Sequence, residues 1–160
     1  MDTAAKRTAL RSITYGLYVV TAKHDGRVAG ACINWLTQTS FEPPLVALGI
    51  KADSETHAVA KASGRVAVNV LAHDQFDIAK SFFRPTELEG SSINGFEFEE
   101  GPVTGAPLLL DAPFWWEAIV LDVIERGDHS LFLTEVVEAG VRDENRAPLE
   151  LRPTGLNYGG

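Results

Sequence analysis

Lys51-Ala52-Asp53-Ser54-Glu55-Thr56-His57 puts a cation and hydroxyls where a strand should give way to a helix. Backbone N–H groups at a helix N-terminus carry partial positive charge, so such a junction can bind a phosphate, with Lys51, Ser54 and Thr56 as additional donors. Ser54 has an equally simple use as the cap of that helix. A second stretch, Gly30 to Pro44, interleaves small residues and hydroxyls with one large aromatic, Trp35, in an otherwise strand-like run. That mixture suits a flat heterocycle whose heteroatoms meet backbone N–H groups while Thr37 or Ser40 meets its polar edges. It equally describes an irregular edge strand with one solvated face. A third stretch, Lys80-Ser81-Phe82-Phe83-Arg84, offers cationic donors and an aromatic wall at a helix end, or simply a core helix with a charged terminus.

The missing fingerprints narrow the chemistry. There is no G-x-G-x-x-G, G-x-x-x-x-G-K-[ST], H-E-x-x-H, C-x-x-C or G-x-S-x-G, which sets aside Rossmann, P-loop, zincin, thioredoxin-like and nucleophile-elbow readings. His24, His57, His73 and His129 have no metal-ligand spacing, and no metal is expected.

The elements that must position these residues are mostly strands. Thr14–Ala22 and Arg27–Ile33 flank an Asp25-Gly26 turn and read as a hairpin. Leu45–Ile50 is nearly continuously apolar, which predicts a central strand buried on both faces. Short helices are predicted over residues 2–11, 55–63 and 74–83, the second capped by Ser54 and ended by Gly64. Residues 65–71 form another strand. Residues 84–107, rich in Gly, Pro, Ser and Glu, read as a long loop with a short strand at 96–98. Two long strands, 114–125 and 131–141, close the pattern around a Gly-Asp-His-Ser turn. Trp115 and Trp116 must face opposite sides, one toward the barrel and one toward a dimer interface. Strand runs with short connections argue a closed antiparallel barrel rather than a doubly wound sheet.

With 160 residues, 45% of them hydrophobic, the chain suits one globular domain over 1–160. Fourteen Lys and Arg against 22 Asp and Glu leave a net charge of −8, a field that repels nucleic acid and anionic lipid. No apolar run approaches the roughly 20 residues of a membrane span. Cys32 is the only cysteine, and the start of the chain lacks the pattern of a secretory signal, so the expected setting is a reducing cytoplasm. Cys32 itself reads as a small buried strand residue.

Three motifs in order then carry a resemblance: Gly30 to Pro44 ending in Ser-Phe-Glu-Pro-Pro, Val68-Asn69-Val70-Leu71, and Gly127-Asp128-His129-Ser130-Leu131-Phe132-Leu133-Thr134-Glu135-Val136. Together they resemble the flavin reductase-like, FMN-binding split-barrel family from about Thr14 to Val141, with Leu156-Asn157-Tyr158-Gly159-Gly160 extending the match. Asn34-Trp35-Leu36-Thr37-Gln38 is similar to the flavoredoxin-like branch. The resemblance implies a mainly β fold with short helices, an antiparallel, Greek-key-like split barrel that forms a homodimer and binds FMN, with FAD as the alternative. It implies that Asn34, Trp35, Leu36, Thr37 and Ser40 line the ring and ribityl chain. It further implies that Lys51, Ser54, Thr56 and His57 surround the phosphate, with help from Ser81, Phe82 or Arg84. Asp53 and Glu55 are acidic departures within that group.

By the same resemblance, hydride passes from NADH or NADPH to the flavin, and His129 serves the nicotinamide site. The reduced flavin or its electrons go to a partner such as a flavin-dependent monooxygenase. The alternative is a non-enzymatic FMN-binding or electron-transfer module that does not use NAD(P)H.

Overall fold

Asp25 and Gly26 have φ angles of 48° and 78°, the left-handed pair that a tight two-residue hairpin turn requires. In the computed structural model, which describes all 160 residues, this turn joins β1 (Tyr18–His24) to β2 (Arg27–Ile33). The predicted hairpin is present, its first strand starting later than expected because Gly16 instead bridges to Glu150. Before it lies α1 (Thr3–Arg11), capped by Asp2, whose side chain accepts from the Ala4 and Ala5 N–H groups. A second hairpin pairs β3 (Leu36–Ser40) with β4 (Leu45–Lys51).

Ser54 caps α2 (Glu55–Ser63) by accepting from the His57 N–H, and Gly64, at φ 64°, ends it, so both predicted helix boundaries hold. β5 (Arg65–Val70) and α3 (Phe76–Ser81) follow, then β6 (Leu88–Glu89), β7 (Ser92–Ile93), β8 (Phe96–Glu100), β9 (Pro107–Leu109), β10 (Phe114–Glu125) and β11 (His129–Val141). No helix is long and apolar enough to cross a membrane.

Seven strands form one antiparallel sheet in the order β2-β1-β5-β10-β11-β4-β3. Its two edge strands, β2 and β3, are consecutive in the chain and separated only by Asn34 and Trp35. Three residue steps span at most about 11 Å, so the sheet must curl until its edges nearly meet. The result is a barrel with a seam between β2 and β3, because no ladder joins them. Val20, Leu48, Ile50, Val66, Val68 and Phe132 fill its interior. Burying each such side chain contributes about 1.5–3 kcal/mol.

Two expectations need correction. β4 is not central but second from the edge, and its burial alternates because Trp35 covers Gly49 on one face while the other faces the core. The predicted long loop at 84–107 carries the expected short strand at 96–98 as β8, but within a small sheet, β6-β7-β8-β9; two- and three-residue strands such as β6, β7 and β9 are too short to show a period in sequence. Trp116 packs into the barrel core as expected. Trp115, on the opposite face, is half-buried, lying on Gly140, beneath Arg142, and against Ala106 and Leu108.

Buried polar groups lock the small sheet to the barrel. Asn69 donates through Nδ2 to the Val19 and Pro107 carbonyls and accepts from the Leu109 N–H at 2.7 Å. Glu117, fully buried, accepts from the Val103 and Thr104 N–H groups and from the Thr104 hydroxyl. Each would cost about 1–3 kcal/mol if left unpaired in the interior.

Candidate active site

The barrel seam opens onto a cavity of about 680 Å³, within the range of small-molecule sites. Its walls come from the end of β2, the end of β4, the first turn of α2, the stretch after α3, the first residue of β11 and the segment 156–158. These elements are distant in sequence. Curling of the sheet brings them together.

At one end the first turn of α2 presents Ser54, Glu55 and Thr56 to the cavity. Ser54 Oγ accepts from the His57 N–H at 3.1 Å, leaving the Glu55 and Thr56 N–H groups outside the helix ladder. Lys51 projects beside them, its Nζ 3.0 Å from Asp53 Oδ1 and donating to Asp53 Oδ2 at 3.2 Å. That hydrogen bond raises the lysine's pKa and lowers the aspartate's. Arg84 also lines the cavity and pairs with Glu87 at 3.4 Å, while Glu55 pairs with Arg27 at 3.2 Å. The rim thus has cations that are already partnered by carboxylates.

Across the strand ladder from Lys51, His129 also lines the cavity. Its Nδ1 lies 3.0 Å from Asp128 and its Nε2 lies 2.9 Å from the Tyr158 hydroxyl. The bond to His129 holds the Asp128 carboxyl below the usual carboxylate range. Trp35 closes against both rings, with centroids 4.5 Å from His129 and 5.6 Å from Tyr158. The apolar part of the lining is Leu17, Ile33, Ile50, Phe82 and Phe83. Phe82 is buried, and Cys32 on the same wall is half-buried, its thiol pushed up to about 12 by burial.

Of the residues expected from the sequence, Asn34, Lys51, Ser54, Thr56, Phe82, Arg84 and His129 line this cavity. The others stand elsewhere. Trp35 lies behind His129 rather than on the wall. Leu36 packs on the barrel core. Thr37 is exposed, its hydroxyl donating to the Gln38 carbonyl, and Ser40 sits at the far end of β3. These follow from geometry, because β3 runs away from the cavity once Trp35 has turned the chain. His57 points into the barrel, its Nε2 2.8 Å from Ser130 Oγ and its ring edge-on to Phe132. Ser81 bonds to the Ile78 carbonyl of its own helix.

Sequence reasoning gave Tyr158 no role and did not foresee Thr86, whose hydroxyl accepts from the Gly30 N–H at 2.9 Å. Thr86 belongs to the stretch read as a loop. Tyr158 lies in a Gly-rich segment with no period to place it.

The cavity combines a polar helix start, an apolar wall and an aromatic and imidazole cluster, the kinds of group a flavin nucleotide needs. Known proteins agree with this geometry. A family model described as "Flavin reductase like domain" matches residues 10–159. An NADH:riboflavin 5'-phosphate oxidoreductase of Streptomyces pristinaespiralis is 32% identical over 144 residues, covering 89% of this chain and 80% of its own length. A probable flavin reductase of Rhizobium meliloti is 31% identical over 136 residues and 84% of this chain. The chain spans about half the length of some curated relatives, 42% of that protein and 57% of one from Aeropyrum pernix. Among solved structures, BorF, the flavin reductase component of a bacterial two-component tryptophan halogenase, superposes with a TM-score of 0.81 at 28% identity, covering 99% of this chain and 98% of its own. With the motifs, the seamed barrel and the cavity all in agreement, the chain belongs to the flavin reductase-like domain family.

Proposed function

We propose that residues 1–160 act as one domain, an NADH-dependent flavin reductase that binds FMN in the seam cavity. The observation that carries this reading is the convergence on one cavity of the α2 first turn with Lys51 and, next to it across the β4–β11 ladder, the His129–Tyr158–Trp35 cluster.

When bound, flavin accepts hydride from reduced nicotinamide and supplies the redox chemistry itself. The chain's own residues bind and orient. Lys51 and the Glu55 and Thr56 N–H groups hold the phosphate, Ser54 fixes the turn, and Arg84 adds charge at the rim. Asn34 borders the ring, and Leu17, Ile33, Ile50 and Phe82 exclude water from it. His129 receives the nicotinamide, and holding two rings in register lowers the barrier by entropy rather than by new chemistry.

NADH is favoured over NADPH by the name of the Streptomyces pristinaespiralis relative, an NADH:riboflavin 5'-phosphate oxidoreductase. FMN is favoured over FAD by the name of the Streptomyces pristinaespiralis relative. Exposed Ile119, Leu121, Ile124 and Leu131 form an apolar face on the β10–β11 hairpin, which supports a homodimer. A flavin-dependent oxygenase or halogenase in the cytoplasm is the proposed receiver of reduced flavin, in line with the partner of BorF.

Steady-state NADH oxidation by the purified protein, with and without added FMN, tests the reading. FMN-dependent turnover that is faster with NADH than with NADPH is expected. FMN binding without turnover would point instead to a non-enzymatic electron-transfer module, and neither binding nor turnover would overturn both.

A further inference from the structure

His129 is held at both ring nitrogens. Nδ1 lies 3.0 Å from Asp128 Oδ1, and Nε2 lies 2.9 Å from the Tyr158 hydroxyl. Asp128 stays ionised because the bond to His129 lowers its pKa, so its oxygen only accepts and Nδ1 must carry the hydrogen. In the neutral ring Nε2 is then bare and accepts from the Tyr158 O–H. This tautomer is assigned from the partners on either side.

Tyr158 is itself fixed from three directions. Its carbonyl accepts from Asn34 Nδ2 at 3.4 Å, and its ring lies 5.6 Å from that of Trp35. The next residue, Gly159, accepts from Arg11 Nε at 3.1 Å. Tyr158 and His129 both border the cavity. Nothing in barrel packing demands a hydroxyl at 158, since the side chain is half exposed and its ring contacts need only the aromatic body.

We propose that Tyr158 is a positioning residue for His129: its hydroxyl fixes the tautomer and plane of the imidazole, and through that ring the docking of reduced nicotinamide. The inference rests on the flavin reductase reading. Without the hydroxyl, Nε2 loses its donor and the ring gains freedom that nicotinamide binding must then remove. The loss falls on binding rather than on the chemical step.

Two measurements on wild type and Tyr158→Phe decide the matter, because phenylalanine keeps the ring packing and removes only the hydroxyl. Nitrogen-correlated NMR of the imidazoles, with His129 identified by difference against His129→Gln, is run on protein without cofactor. Steady-state kinetics with NADH and FMN follow. Expected are a wild-type His129 with hydrogen on Nδ1, a displaced Nε2 signal in the variant, and a KM for NADH raised about threefold to tenfold with kcat changed less than about twofold. An unmoved Nε2 signal overturns the contact. A moved signal with unchanged KM overturns the positioning role. Wild-type protein that does not oxidise NADH overturns the functional reading and the docking role with it, and is distinguishable because the NMR signature needs no cofactor.

Discussion

Lys51 and His129 stand directly opposite each other across the β4–β11 ladder. Lys51 is the last residue of β4 and leads into the cap of α2; His129 is the first residue of β11 and follows the Gly-Asp turn. The Ala52 N–H donates to the Asp128 carbonyl at 2.9 Å, which ties the two connections together. The proposed phosphate and nicotinamide contacts are therefore neighbours set by one strand register, and slipping either strand by one residue would turn that strand's side chain to the opposite face.

Asp53 competes with a bound phosphate for Lys51. Replacing Asp53 with Asn releases the lysine and removes a negative charge from the rim. Because the pair is exposed to solvent, the gain is modest: FMN affinity should rise about twofold to fivefold at low salt and less at high salt. Riboflavin, without a phosphate, should bind both proteins equally in the same fluorescence titration.

His57 is a structural residue. Its ring is buried against Phe132 and bonded to Ser130, so His57→Ala should cost about 1–3 kcal/mol of stability while changing FMN affinity by less than about twofold. Denaturant unfolding and flavin titration on the same sample separate the two effects. A tenfold loss of FMN affinity at unchanged stability would return His57 to the site.

Glu117 holds the 101–106 segment through three hydrogen bonds to Val103 and Thr104. Glu117→Gln keeps the volume but turns an amide donor toward those donors. Unfolding free energy should fall by about 2–4 kcal/mol and Tm by about 5–10 °C, read by thermal melts.

Cys32 borders the cavity with a thiol pushed up to about 12 by burial. Iodoacetamide at pH 8 should label the folded protein far more slowly than the denatured chain, because the thiolate is the nucleophile. The sign for stability is also fixed. The folded thiol keeps its proton above its ordinary value of 9.0, the unfolded chain loses it first, and this group therefore lowers stability as pH rises past about 9.

The parts of the fold legible in sequence were those with strong local signals. Asp25-Gly26 located a hairpin, Ser54 and Gly64 bounded α2, and the long β-branched runs gave β10 and β11. Strands β6, β7 and β9 were hidden because each is too brief to show an alternation, whereas the five-residue β8 was foreseen. The cavity residues near strong signals, Lys51, Ser54, Thr56 and His129, were anticipated. Thr37, Ser40 and His57 do not line the cavity of the single chain: local sequence shows which residue types are near a turn, but only the curl of the sheet decides which face they take. Tyr158, joined to His129 across 29 positions, carried no local signal.

The most direct test of the account is the visible absorption spectrum of the purified protein titrated with FMN, freed of excess flavin, then given NADH without oxygen. The account predicts flavin bands approaching one FMN per chain that bleach when NADH is added. A protein that retains no flavin and leaves the spectrum of added FMN unperturbed would contradict it.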